Sequence, residues 1–349
     1  MSVGARSLIL GATGFLGLNL LDELIAAGQA PRCGHRARSN TIPLRRRGVP
    51  RVIADCAERD SIARACDGVD VVYHLAGHYP RHALDPEATL ERATRELDNV
   101  IEGAVAAGVR RLVYVSSTAT VARRADGRPA TEADAFPARP GLGAYHDAKW
   151  AMEARALAED RLEIVVVCPG ACLGPWDLRL GTSALVIATA RHLDPPHPDG
   201  VVNLVDARDV ARLLAAVGPH PSPPRRVLVT AHDVGLHAFL GELAAHFGAP
   251  RPRAPLSADA AVALADAEER RVAGTPERPA IAREIVDLVV HGGPIDASLA
   301  RALLPGGFRP LAETLAEVER FARRMRLIPE RDAHPMSKPE VHDVPSVFR

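Results

Sequence analysis

Residues 8–17 read Leu-Ile-Leu-Gly-Ala-Thr-Gly-Phe-Leu-Gly. Leu8, Ile9 and Leu10 form a short apolar run of the kind buried on both faces of a parallel sheet. Gly11, Gly14 and Gly17 follow at a spacing of three, overlapped by apolar residues at Leu16, Leu20, Leu21, Leu24 and Ile25 in helical register. A strand running through a glycine-rich turn into a helix is the geometry that holds a dinucleotide pyrophosphate. Gly11 permits the tight turn, Gly14 lets a phosphate approach the backbone, and Gly17 lets the helix lie close to its strand. The helix N-terminus offers free N–H groups and a partial positive charge, which adds Thr13, Phe15 and Leu16 to the candidate cofactor contacts. A glycine-rich turn without a ligand is the plainer alternative.

Outward from this unit, strand and helix patterns alternate. Strand character recurs at Pro31–His35, Arg51–Cys56, Val69–Gly77, Leu112–Thr118, Ile164–Val167 and Arg226–Thr230, with helical segments between, such as Leu90–Ala107 and Tyr145–Glu159. That order implies an α/β fold with a doubly wound parallel sheet. Leu236–Phe247, Ala258–Arg271, Ile281–Val290 and Leu311–Arg326 read as helices of a smaller lobe over the ligand crevice. The division expected is a dinucleotide-binding core over 1–168, a substrate lobe over 169–330 with 201–232 returning to the core, and an extended tail over 331–349.

Composition narrows the partners. The 349 residues are 47% hydrophobic with a formal net charge of zero, which gives nucleic acid and anionic membrane surfaces no support. There is no 18-residue apolar run and no signal-peptide pattern, so a cytoplasmic protein is expected. Cysteines 33, 56, 66, 168 and 172 lack metal-type spacing and read as reduced thiols, with no metal site expected. Only two lysines occur, Lys149 and Lys338.

Cofactor choice turns on the end of the second strand. A carboxylate there binds the ribose 2′-hydroxyl of NAD, whereas arginine suits the 2′-phosphate of NADP. No acid lies between Glu23 and Asp55, and Arg36 and Arg38 stand at the strand end, so NADP is favoured over NAD. Asp55, with Cys56, ends the third strand and either accepts from the adenine amine or caps the next helix. Leu75, Ala76 and Gly77 end the fourth strand with small residues that admit a cofactor, and Ser116, Ser117 and Thr118 end the fifth with three hydroxyls.

Tyr145 and Lys149 are four apart, so a helix puts them on one face. A phenol ordinarily loses its proton near pH 10, and an adjacent ammonium stabilises the phenolate. Tyr145 could then exchange a proton with an alcohol or ketone while Thr118 or Ser117 holds the same oxygen, as hydride transfer requires. An exposed helix face would show the same spacing. Retention of a lysine among so many arginines favours the chemical reading.

With these residues in place, the chain resembles the extended branch of the short-chain dehydrogenase/reductase superfamily over roughly Ser7 to Arg324. The marks are Gly11–Gly17, His74-Leu-Ala-Gly77, Tyr114-Val-Ser-Ser-Thr118, Tyr145-His-Asp-Ala-Lys149, Cys168–Pro175 and Asn203–Ala211. The flavour is that of the dihydroflavonol reductase and 3β-hydroxysteroid dehydrogenase group. The resemblance implies Thr118 as the catalytic hydroxyl, Tyr145 as the acid/base, Lys149 on the nicotinamide ribose, and Pro169 beside the nicotinamide. One departure is Ala93-Thr94-Arg95-Glu96-Leu97 where the family often has Asn-Val-x-Gly-Thr. The function expected is NADP-dependent reduction of a ketone to a secondary alcohol, or the reverse. A sugar-nucleotide epimerase of the same superfamily and a non-catalytic dinucleotide sensor are the alternatives. Dehydratases of this branch place an acid pair after the threonine, where Ala119 and Thr120 stand here. The partners expected are a small carbonyl or alcohol substrate and a second copy of the chain, paired through Leu90–Ala107 and Tyr145–Glu159.

Overall fold

The apolar run at residues 8–10, with Ser7 before it, becomes the first strand of a seven-stranded sheet in a computed structural model that describes residues 6–77, 85–275, 277 and 279–329. The first half of the chain supplies β1 (Ser7–Leu10), α1 (Phe15–Ala26), β2 (Arg32–His35), α2 (Ile42–Arg46), β3 (Arg51–Ile53), α3 (Arg59–Cys66), β4 (Val71–His74), α4 (Pro86–Ala106), β5 (Arg111–Val115) and α5 (Ala144–Leu157). Then follow β6 (Glu163–Pro169), β7 (Ala171–Leu173), α6 (Ser183–Ala190), β8 (Val201–Asp206), α7 (Ala207–Val217), β9 (Arg226–Val229) and β10 (His232–Gly235). Five helices close the described chain: α8 (Leu236–Phe247), α9 (Ala258–Val272), α10 (Arg283–Val290), α11 (Ser298–Leu303) and α12 (Leu311–Arg324).

The large sheet has the order β3-β2-β1-β4-β5-β6-β9, and every neighbour pair in it is parallel. Chain order reverses between β1 and β4, so the crevice beyond their carboxyl ends is the topological switch point where ligands of such sheets bind. The strands are apolar on both sides because helices cover both. One apolar layer packs Leu8, Leu10, Val72, Leu112, Ile164 and Val166 against α3, α4 and α5. The other packs Ile9, Val71, Val113, Val165 and Val227 against α1, α2, α7 and α11.

A second sheet, β10-β8-β7, lies beyond β6. Its apolar face, with Leu173 and Leu204, buries Val186 of α6, Phe239 and Leu243 of α8, Val289 of α10 and Val318 of α12. The expectation that 201–232 returns to the core therefore needs dividing. Helix α7 packs on α1, and β9 joins the large sheet, but β8 belongs to the small one. β8 has strand character in sequence, and nothing in its pattern says which sheet it pairs with. The tail over 331–349 lies outside the described residues.

Candidate active site

The glycine turn is shaped as the sequence implied. Gly11 sits at φ 86°, in the left-handed region, and a Cβ on it would lie 2.8 Å from the Ala76 backbone nitrogen. A Cβ on Gly17 would overlap the Gly11 carbonyl oxygen. The turn is thus held against residues 75–76 on one side and against its own helix on the other. Gly14 is the N-cap of α1 and offers no side chain to the first-turn N–H groups, which leaves them for an anion. Thr13, Phe15, Leu16, Leu75 and Ala76 are partly exposed around this turn, and Gly77 is exposed.

Arg36 and Arg38 are exposed in the turn after β2, where the Arg36 N–H donates to Ser39 Oγ at 3.2 Å. Among the described residues neither has a carboxylate partner. Asp55 does not cap the next helix, since Glu58 is the N-cap of α3. Its Oδ1 instead accepts the Ala57 N–H at 3.1 Å, and the carboxylate is partly exposed. The Cys56 thiol is buried, and burial pushes it up to about 12. Only the Cys56 main chain is therefore available to a cofactor, and its carbonyl already accepts from Asn99 Nδ2 at 2.9 Å. Asn19, which sequence reasoning passed over, donates to Phe15 O and to Pro175 O (3.0 and 2.9 Å), fastening α1 to the segment after β7.

At the end of β5 the three hydroxyls divide. Ser116 Oγ donates to Glu153 Oε2 at 2.5 Å. Ser117 Oγ accepts the Ala119 N–H at 3.2 Å and caps a single 3₁₀ turn over Thr118–Thr120. Both serines are buried, whereas Thr118 is partly exposed and lines a cavity of about 30 Å³. Of the three hydroxyl-bearing residues, only Thr118 is partly exposed.

Tyr145 and Lys149 fall in the first turns of α5, which packs on that 3₁₀ turn. Tyr145 is buried. The Lys149 ammonium donates to Val115 O at 3.3 Å and lies 5.8 Å from the Tyr114 ring centre. Burial lowers the Lys149 pKa to about 8, opposed by negative charge from its surroundings, Glu153 included. Pro169 is buried at the end of β6.

One turn beyond Lys149, Glu153 organises this face. Besides Ser116, its Oε2 accepts Thr120 Oγ1 at 2.8 Å and the Cys168 thiol at 3.3 Å. Its Oε1 accepts Arg226 Nε at 2.7 Å. Arg226 Nη2 also reaches Thr120 Oγ1 at 3.0 Å. A single carboxylate thus joins α5 to the ends of β5 and β6, to β9 and to the turn that carries Thr118. The signal available in sequence was a glutamate four after the lysine. Nearby, Asp147 accepts from Arg139 Nε (2.6 Å) and the Gly141 N–H (2.8 Å), pinning the loop before α5. His74 and Tyr114 stack beside the lysine at 5.7 Å; among the described residues neither His74 nitrogen nor the Tyr114 hydroxyl has a hydrogen-bond partner. Burial holds His74 neutral, at about 3. Ala93, where the family often has asparagine, is fully buried in the apolar layer.

Among the described residues no group of three or more His, Cys, Asp or Glu could hold a metal ion, and no helix is long and apolar enough to cross a membrane.

Residues 7–229 match the model of the NAD dependent epimerase/dehydratase family. A provisionally named dihydroflavonol 4-reductase of Synechocystis sp. is 29% identical over 299 residues, 84% of this chain and 87% of that protein. Sterol demethylase protein B of Methylococcus capsulatus is 30% identical over 252 residues, 71% of this chain and 76% of that protein. Among solved structures, a nucleoside-diphosphate-sugar epimerase from Pseudomonas aeruginosa superposes with a TM-score of 0.75 at 24% identity, covering 94% of this chain and all of that one.

Proposed function

The chain belongs to the NAD dependent epimerase/dehydratase family, whose enzymes bind NAD(P), and from that premise we propose that it is an NADP-dependent reductase of ketones, or dehydrogenase of the matching secondary alcohols. The observation that carries this reading is the first turns of α5. Tyr145 and Lys149 share one helix face beside Thr118, and the lysine is held by Val115 O in a desolvated setting. A hydroxyl, a phenol and an ammonium in that order are what carbonyl reduction needs from a protein.

The glycine turn and the uncapped N-terminus of α1 fit a pyrophosphate, and Arg36 with Arg38 fit a 2′-phosphate. Bound there, NADPH supplies the hydride. The chain's residues supply the rest. Thr118 hydrogen-bonds the substrate oxygen, and Tyr145 donates its phenolic proton to that oxygen as the carbon–oxygen double bond becomes an alcohol. Lys149 carries the positive charge that stabilises the phenolate left behind. Glu153 touches neither cofactor nor substrate in this scheme; it fixes the elements that bear Thr118 and Lys149, and its negative charge helps hold the Lys149 ammonium.

The test is NADPH consumption by the purified protein across a panel of aliphatic, aromatic and cyclic ketones, beside a UDP-sugar epimerisation assay. Ketone-dependent oxidation of NADPH is expected. Epimerisation of a UDP-sugar without net consumption of NADPH would replace this reading with the epimerase one.

A further inference from the structure

The cavity beside Thr118 collects polar side chains that proton transfer does not use. Arg123 stands at its mouth, exposed, with its stem against the Gly292–Gly293 turn; a Cβ on Gly293 would lie 3.1 Å from Arg123 Cγ. Among the described residues its guanidinium has no hydrogen-bond or ion-pair partner. The acids that might have served are engaged elsewhere. Asp126 and Asp134 pair with Arg124, Asp287 pairs with Arg283, and Asp233 accepts from Asn203 Nδ2 and the Ile295 N–H.

Two imidazoles line the same space. His146 is buried with its Nδ1 unpartnered among the described residues. The His291 ring meets it edge to face at 6.3 Å. Burial lowers both, His146 to about 4, so each is neutral at pH 7 with one N–H to donate. Phe136, Leu288 and Ile295 wall the remainder.

We propose that this cavity is a carboxylate-binding subsite, Arg123 gripping the anion and the two imidazoles bonding to it, so that the substrate is a ketone whose apolar body bears a carboxylate. A planar guanidinium with free donors matches a carboxylate in two parallel hydrogen bonds. About 30 Å³ suits a small head group rather than a sugar nucleotide. The apolar wall then carries the body from the head group toward Thr118. The subsite itself stands on Arg123 and its surroundings; only the ketone end rests on the reductase reading.

The probes are 4-oxo-4-phenylbutanoate and its methyl ester, titrated calorimetrically into the protein saturated with NADP⁺, a complex in which the ketone cannot be reduced. The acid should bind at least about tenfold more tightly than the ester, the order expected for charged hydrogen bonds to a guanidinium. In Arg123→Gln the acid and the ester should bind alike. Equal affinities in the unmutated protein, no binding of either compound, or an acid preference that survives Arg123→Gln would each overturn the subsite. NADPH turnover of both compounds separates the two proposals: acid preference without turnover removes the reductase reading alone, and turnover without acid preference removes the subsite alone.

Discussion

Glu153 Oε1 and Arg226 Nε meet at 2.7 Å inside the protein, with only 4% and 7% of their side chains exposed. The pair bridges the helix of Tyr145 and Lys149 to β9, and through Ser116 and Thr120 it fixes the backbone on either side of Thr118. Loss of one partner from a buried pair leaves an uncompensated charge and typically costs about 3–5 kcal/mol, whereas replacing both with apolar groups is often nearly neutral. Glu153→Leu is therefore expected to lower stability by about that amount in urea unfolding. Glu153→Leu combined with Arg226→Leu should recover much of the loss. Strict additivity of the two single effects would show that the pair is not coupled.

Cofactor preference depends on charge outside this network. Arg36 and Arg38 are exposed and lack carboxylate partners among the described residues, so a 2′-phosphate would meet donors that no internal acceptor has claimed. Each charged hydrogen bond contributes on the order of 1.5–3 kcal/mol. NADPH should bind more tightly than NADH in fluorescence titration, and Arg36→Ala should narrow the gap about tenfold or more, by that same energy. Equal affinity for the two cofactors in the unmutated protein would contradict this assignment.

The turn below the pyrophosphate is sterically exacting. Gly17→Ala would drive a methyl group into the Gly11 carbonyl oxygen, which is backbone and cannot swing aside. The turn has to open, and with it the N–H groups at the start of α1. Overpacking of this kind typically costs about 1–3 kcal/mol. Gly17→Ala should lower the melting temperature and weaken NADPH binding at least about tenfold, a loss of about 1.4 kcal/mol. Unchanged NADPH affinity would place the cofactor elsewhere.

The sequence displayed what is local and hid what is assembled. The unit β1–turn–α1 was legible because an apolar run, three glycines and a helical register are all read within eighteen consecutive positions, 8–25. Tyr145 and Lys149 were legible for the same reason, being one helical turn apart. Glu153 was not. A glutamate on a helix ordinarily faces water, and its partners lie 37, 33, 15 and 73 residues away, so only tertiary structure makes it central. Ser117 looked equivalent to Thr118 until the chain turned into a 3₁₀ helix and spent the serine on a cap. The pairing of β8 was equally hidden, because strand character does not name a neighbour. Arg123 carries no motif, and its lack of an acidic partner among the described residues is a property of the fold.

The pH dependence of the site follows from Lys149. Burial lowers its pKa from 10.5 to about 8, so the ammonium is present below that value and lost as pH rises through it. In the proposed scheme that positive charge stabilises the phenolate of Tyr145 and meets a ribose hydroxyl. Turnover of any accepted ketone should therefore fall on the alkaline side with a midpoint near pH 8, and NADPH affinity should weaken over the same range. Glu153→Gln removes a negative charge that helps hold the ammonium, so its alkaline limb should move to lower pH. A merely structural role for Glu153 would lower activity without moving the limb. Tyr145→Phe keeps the ring and removes the transferable proton, and general acid catalysis is typically worth about 10²–10⁴-fold. Turnover should drop by that factor while NADPH affinity holds. Lys149→Met should lose both turnover and affinity. Full turnover in Tyr145→Phe, or an alkaline limb that is flat from pH 7 to well above pH 9, would remove the phenol and the ammonium from the chemistry.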